Sequence, residues 1–119
     1  MKPDAWLLAV SVAGAGGIGA VLRFWLSLWQ GWLPNGILAA NSLASFAAGL
    51  VLANQDFGSI VLIAGLCGGL STFSSFAAAT VEFWRSGRRT QAIANTLLNL
   101  VIPSTAAALG VLLAGILLK

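Results

Sequence analysis

Apolar positions run nearly unbroken along four stretches of this chain, residues 5–28, 36–53, 58–84 and 90–118. Polar residues gather in the short gaps between them: Pro34-Asn35-Gly36, Asn54-Gln55-Asp56 and Arg85-Ser86-Gly87-Arg88-Arg89. A bilayer core about 30 Å thick is crossed by roughly 20 helical residues. The pattern therefore predicts an all-α integral membrane protein, one domain over residues 1–119 with four transmembrane helices and very short connections. The third stretch exceeds what one straight crossing needs, which fits a helix that is broken near its centre or tilted.

The middle of that third stretch reads Gly65-Leu66-Cys67-Gly68-Gly69-Leu70-Ser71-Thr72-Phe73-Ser74-Ser75-Phe76. Glycines weaken a helix there. Irregular backbone at bilayer depth survives only where protein or a polar cavity covers it. Four hydroxyls and two aromatic rings within residues 71–76 make a lining for such a cavity. Hydroxyls donate to anions, and the edge of a phenylalanine ring is the positive part of its quadrupole. Carbonyls freed by a break near Gly68-Gly69 could instead bind a cation. Packing of Phe73 and Phe76 against lipid or neighbouring helices is the plain alternative.

The other stretches carry few polar side chains. Arg23 lies near the end of the first, where it either snorkels to the interface or has a function at depth. Trp25, Trp29 and Trp32 follow it as an aromatic belt would. Asn41 opens the second stretch and needs protein or a pore beside it. Asn95 and Asn99 are four apart on one face of the fourth, as glue between helices or as pore lining. Pro103 removes a donor and predicts a kink, with Ser104 and Thr105 available to take up freed carbonyls. Gly14-Ala15-Gly16-Gly17-Ile18-Gly19 has the spacing of a dinucleotide loop. It lacks both a preceding strand and an acidic residue about 20 positions on. Its Ala13/Gly17, Ala15/Gly19 and Gly16/Ala20 pairs are the small-xxx-small type that lets helices approach closely.

Composition narrows the function. The 119 residues are 59% hydrophobic and only 8% charged, with a mean hydropathy of +0.95. Soluble domains carry about 25% charge. The net charge of +3 is too scattered for nucleic acid and reads as charge at membrane faces. With no His and a single Cys67, disulfide frameworks and His/Cys metal sites are excluded within one chain. Asp4, Asp56 and Glu82 all map near interfaces, so no carboxylate sits at depth for catalysis or proton coupling. The chain is not expected to be an enzyme, and passive passage of a small species remains. Basic residues in the first and third connections lean weakly toward both termini outside, with insertion in both orientations also open.

Three motifs resemble those of the Fluc (CrcB-type) fluoride channels. Gly68-Gly69-Leu70-Ser71-Thr72-Phe73-Ser74-Ser75-Phe76 resembles their third-helix signature, and is the most specific. Gly16-Gly17-Ile18-Gly19-Ala20 with Arg23-Phe24 resembles the first-helix pattern, and Gly36 with Asn41 the second. The resemblance implies an antiparallel, dual-topology dimer in the bacterial plasma membrane, with two fluoride pores at its interface and passive export that relieves fluoride toxicity. It implies that Phe73 and Phe76 are the pore phenylalanines, Asn41 the pore asparagine, and Ser74 and Ser75 the hydroxyl track. It also implies a structural, untransported sodium ion at the dimer centre on the backbone carbonyls of Gly68 and Ser71. Arg23 would be vestibular or structural.

The chain departs from the family pattern at Ala79, where a Glu is usual, and at Ile37, where a Thr is usual. It departs again at Asn95 and Asn99, which stand for a Tyr and a Ser. Asn95 and Asn99 could replace the lost donors. These departures leave open a heterodimer with a homologous subunit, in which this chain is a non-conducting partner. A small dual-topology multidrug or cation exporter is the competing class, but it needs a carboxylate inside the membrane. A membrane assembly subunit that transports nothing is the third.

Overall fold

The computed structural model describes residues 4–54 and 56–117, and within them every regular element is helical. Helix α1 (Ala5–Ser27) and α2 (Asn35–Val51) are followed by a composite third span, Phe57–Arg85, and by a last helix, Arg89–Leu117. The first, third and last are long and apolar enough to cross a membrane. At 17 residues, α2 is near the lower limit for doing so.

The third span is assembled from pieces. Asp56 caps its short opening helix α3 (Phe57–Ile60) by accepting the Ser59 N–H at 2.7 Å. A π-helical stretch, Val61–Cys67, leads into a single α-helical turn α4 (Gly68–Leu70). Ser71 and Thr72 are extended, with ψ of 154° and 117°, and α5 (Phe73–Arg85) then begins. The interruption thus falls at Ser71 and Thr72, just beyond the Gly pair, which itself stays helical. Gly87, at φ 77°, ends α5: the Arg88 N–H reaches back to the Phe83 carbonyl at 2.8 Å. Helix α6 (Arg89–Leu117) runs on through Pro103. Ser104 and Thr105 bond the carbonyls of Leu100 and Val101, not the Asn99 carbonyl that Pro103 leaves without its helical donor.

Small residues bring the helices together. The interior is built of Ala40, Ala44, Cys67 and Leu70, whereas Trp6, Phe24, Trp25, Leu112 and Ile116 are exposed. That inversion suits a chain whose outside is hydrocarbon. Where α1 meets the third span, a Cβ at Gly19 would run into the Leu66 carbonyl, and one at Gly69 into the Gly16 carbonyl. Gly17 has open space beside it, so only part of the small-residue pattern of α1 is used within the subunit. Gly49 and Gly110 abut the Ala107 and Phe46 carbonyls in the same way and hold α2 on α6. Val12 and Ala15 lie against Gly65 and Gly19 against Leu70, so α1 runs parallel to the third span; Asn41 meets Asn99 and Gly49 meets Ala107, so α2 runs parallel to α6. The subunit is a slab of 57 × 33 × 18 Å. On the interrupted span, Phe73, Val81 and Trp84 are exposed.

Candidate functional site

The site is built around the interruption. Breaking a helix strands backbone donors and acceptors, and each must find a partner. The Thr72 N–H, which a continuous helix would direct to Gly68, donates to Asn41 Oδ1 on α2 at 2.7 Å. Asn41 Nδ2 donates back to the Thr72 carbonyl at 3.3 Å. One carboxamide thus stands in for a neighbouring strand of backbone. Thr72 in turn caps α5, its Oγ1 accepting the Ser75 N–H at 3.2 Å. Its hydroxyl also lies 3.1 Å from Ser75 Oγ and 3.3 Å from Ser74 Oγ.

Beside this turn runs a groove of about 600 Å³, walled by Asn41, Ser45, Ser71, Thr72, Phe73, Phe76, Thr96, Asn99, Leu100 and Pro103. None of these residues is charged. Phe73 and Phe76 meet edge to face, with ring centroids 5.5 Å apart and planes at 67°. Phe73 is 79% exposed, so its ring stands at the mouth of the groove and not in the subunit core.

Most of the residues expected from sequence converge here. Phe73, Phe76, Asn41 and Asn99 wall the groove, and Ser74 and Ser75 gather around the Thr72 hydroxyl at its edge. Asn95 stands apart from the lining: it is 1% exposed and packed behind Asn99. Asn41 Nδ2 donates to Asn99 Oδ1 at 3.1 Å. Asn99 Nδ2 donates to the carbonyl and Oδ1 of Asn95, at 3.0 and 3.1 Å. Asn95 Nδ2 reaches the Phe76 carbonyl at 3.4 Å and Thr80 Oγ1 at 2.8 Å.

Sequence reasoning passed over Thr80, and it counted Thr72 only as one of the four hydroxyls of residues 71–76, not as a cap. A Thr ahead of an apolar run is an N-cap signal, which would have marked Thr72. Thr80 bonds back to the Phe76 carbonyl at 2.9 Å, an ordinary helical habit with no sequence signature of its own.

Cation chemistry at the interruption would rest on neutral oxygen ligands. The described residues contain no group of three His, Cys, Asp or Glu that could hold a metal. The Gly68 carbonyl loses its helical donor when the Thr72 N–H turns to Asn41, and the Ser71 carbonyl loses its own when the Ser75 N–H turns to Thr72 Oγ1. Free carbonyls suit a hard monovalent cation. Arg23 Nη1 approaches the Ser71 carbonyl at 3.5 Å, so a guanidinium already lies against one of the two.

Known proteins give these features a family. The chain is 42% identical to the fluoride-specific ion channel FluC of Pectobacterium atrosepticum, over 79% of its own length and 81% of that protein. It is 37% identical to the FluC of Renibacterium salmoninarum, over 91% and 99%, and 36% identical to that of Pyrococcus horikoshii, over 93% and 98%. Relatives so named are ion channels and not enzymes. The family described as CrcB-like protein, Camphor Resistance (CrcB), matches residues 10–111. With that span and those identities, the chain belongs to the CrcB family and is a multi-pass protein of the cell membrane.

Proposed function

We propose that this chain is a subunit of a fluoride-selective channel that lets fluoride leave the cell down its gradient. The observation that carries the reading is the uncharged groove at the interruption, where hydroxyls and two phenylalanine rings converge. An anion that sheds water there needs positive edges and O–H or N–H donors without a competing carboxylate. Phe73 and Phe76 would offer ring edges to the anion, Ser74 and Ser75 would offer hydroxyls, and Asn41 and Asn99 form the amide wall. A proton-coupled or cation exporter would need an ionisable group at depth, and the groove has none.

Residues 1–119 form one membrane domain of four spans in this reading, with α6 bent at Pro103. The groove is open where Phe73 is exposed, and a second, antiparallel subunit closes it, giving two pores. The carbonyls of Gly68 and Ser71 from each subunit would hold a structural sodium ion at the dimer centre. Such an ion would neutralise carbonyl dipoles that the interruption turns inward. Arg23, against the Ser71 carbonyl, braces the same turn.

One observation favours a second reading, that of a partner subunit in a heterodimer whose own pore does not conduct. Every amide hydrogen of Asn41, Asn95 and Asn99 is committed within the subunit, so the two asparagines that depart from the family pattern add no free donor. The test is efflux from fluoride-loaded proteoliposomes, followed with a fluoride electrode. The channel reading expects fluoride release well above protein-free vesicles and little chloride release. Release only with a homologous subunit present would favour the second reading. Absence of release under both conditions would end the channel reading.

A further inference from the structure

The amide hydrogen bonds behind the groove form a directed relay from the interruption to the Phe76 carbonyl. Its two ends are main-chain groups with no choice of role. The Thr72 N–H can only donate, so Asn41 must turn Oδ1 to it and Nδ2 toward Asn99. Asn99 must then offer Oδ1 to Asn41 and Nδ2 to Asn95. Asn95 accepts with Oδ1, which leaves Nδ2 for the Phe76 carbonyl and Thr80 Oγ1. The Phe76 carbonyl can only accept. The Thr80 hydroxyl already spends its hydrogen on that carbonyl, so it meets Asn95 with a lone pair. Turning over any single amide would set N–H against N–H or oxygen against oxygen. Buried polar networks of this kind hold a fixed arrangement when every member is satisfied.

Asn95 is the member of the relay that has no place on the groove wall. It touches the groove only through others, Asn99 on one side and the Phe76 backbone on the other. We propose that Asn95 is a positioning residue for anion passage: through Asn99 it fixes the orientation of the Asn41 amide at the interruption, and through the Phe76 carbonyl it anchors the second groove phenylalanine. The functional half of this inference rests on the channel reading, while the relay rests on the hydrogen bonds alone.

The experiment pairs two readouts on the full chain in lipid nanodiscs and proteoliposomes. Selective 15N-asparagine labelling gives side-chain signals from five residues, Asn35, Asn41, Asn54, Asn95 and Asn99. Asn95→Leu cuts the relay at similar volume, and Thr80→Val removes one of the two acceptors at its far end together with the Thr80 donation to the Phe76 carbonyl. Exchange of the Asn41 side-chain hydrogens with D2O is expected to speed up at least tenfold in Asn95→Leu and less in Thr80→Val, with Asn54 unchanged. Fluoride efflux is expected to fall at least tenfold and by a smaller factor, in the same order. In an Asn99→Leu background, where the route to Asn41 is already cut, Asn95→Leu is expected to add only a loss of the smaller size that Thr80→Val shows, from the contacts at the Phe76 end.

Unchanged Asn41 exchange in both variants overturns the relay. A loosened Asn41 amide with unchanged efflux overturns the role in passage, as does a full tenfold loss added in the Asn99→Leu background. Should Asn95→Leu fail to fold, Thr80→Val carries both readouts. If the unaltered chain passes no fluoride, alone or with a homologous subunit, the channel reading falls, and amide exchange still decides the relay.

Discussion

The Thr72 N–H donates to Asn41 Oδ1 at 2.7 Å, and Asn41 Nδ2 donates back to the Thr72 carbonyl at 3.3 Å. This reciprocal pair spans two helices and satisfies both main-chain groups of a residue held in extended conformation. It explains how a helix can be interrupted at bilayer depth: a side chain, not water, takes up the stranded groups. It also ties α2 to the turn that presents Phe73 and Phe76.

Asn41→Leu should therefore damage both fold and passage. The Thr72 N–H is left buried without a partner, a loss of about 1–3 kcal/mol. Asn99 loses its donor at the same time. The expected result is a lower thermal unfolding midpoint in detergent and at least a tenfold fall in fluoride efflux, measured on the same preparation.

The glycines where α1 meets the third span separate by what lies opposite them. Gly19→Ala and Gly69→Ala place a methyl against a main-chain carbonyl of the adjoining helix, which cannot swing aside as a side chain would. Each should destabilise the subunit by roughly 1–3 kcal/mol, the usual cost of overpacking. Gly17→Ala, with open space around its Cβ, should leave subunit unfolding unchanged. Thermal unfolding of the three variants side by side checks the contrast.

Much of this arrangement was legible in the chain, for reasons that differ by residue. The spans follow from long apolar runs, and the exposed Trp25, Trp29 and Trp32 follow from the need for amphipathic rings at an interface. The Gly68-Gly69 pair and the hydroxyls after it announced an irregular backbone. Its position at Ser71 and Thr72 could not be read locally, because Asn41, 31 residues away, captures the Thr72 N–H. Asn95 and Asn99 were legible as one stripe. Their direction was not, since it is set by Thr72 and Phe76 on another span. The π-helical stretch has no sequence period that distinguishes it from an α-helix at this length.

Acid should loosen the start of the third span. The Ser59 N–H on its carboxylate, helped by the Ser59 hydroxyl and the Gly58 N–H, holds Asp56 below its ordinary value of 3.8. A carboxylate with a depressed folded value stabilises fully above its unfolded value, and that contribution is lost as pH falls through the folded value. The window therefore opens on the acid side of 3.8. Hydrogen exchange at the Ser59 amide should rise there beyond its intrinsic pH trend. Asp56→Asn, which caps without titrating, should remove the excess.

Phe73 and Phe76 carry the last prediction, because packing and chemistry make opposite claims on them. If the rings only fill volume, Leu serves nearly as well, since swaps that keep apolar bulk are tolerated. Phe73, 79% exposed, contributes little to the subunit core in any case. If the ring edges meet a partly dehydrated anion, Leu offers no positive edge in their place, and each replacement removes a favourable contact where water is scarce. The channel reading thus expects Phe73→Leu and Phe76→Leu to keep helical content and unfolding midpoint while fluoride efflux falls about tenfold or more. Their edge-to-face packing at 5.5 Å adds a second expectation. Loss of one ring frees the other to turn, so the double replacement should lose less than the product of the single losses. Fluoride release from proteoliposomes, normalised to reconstituted protein, measures all three variants. Efflux equal to that of the unaltered chain in both single variants would assign the rings to packing.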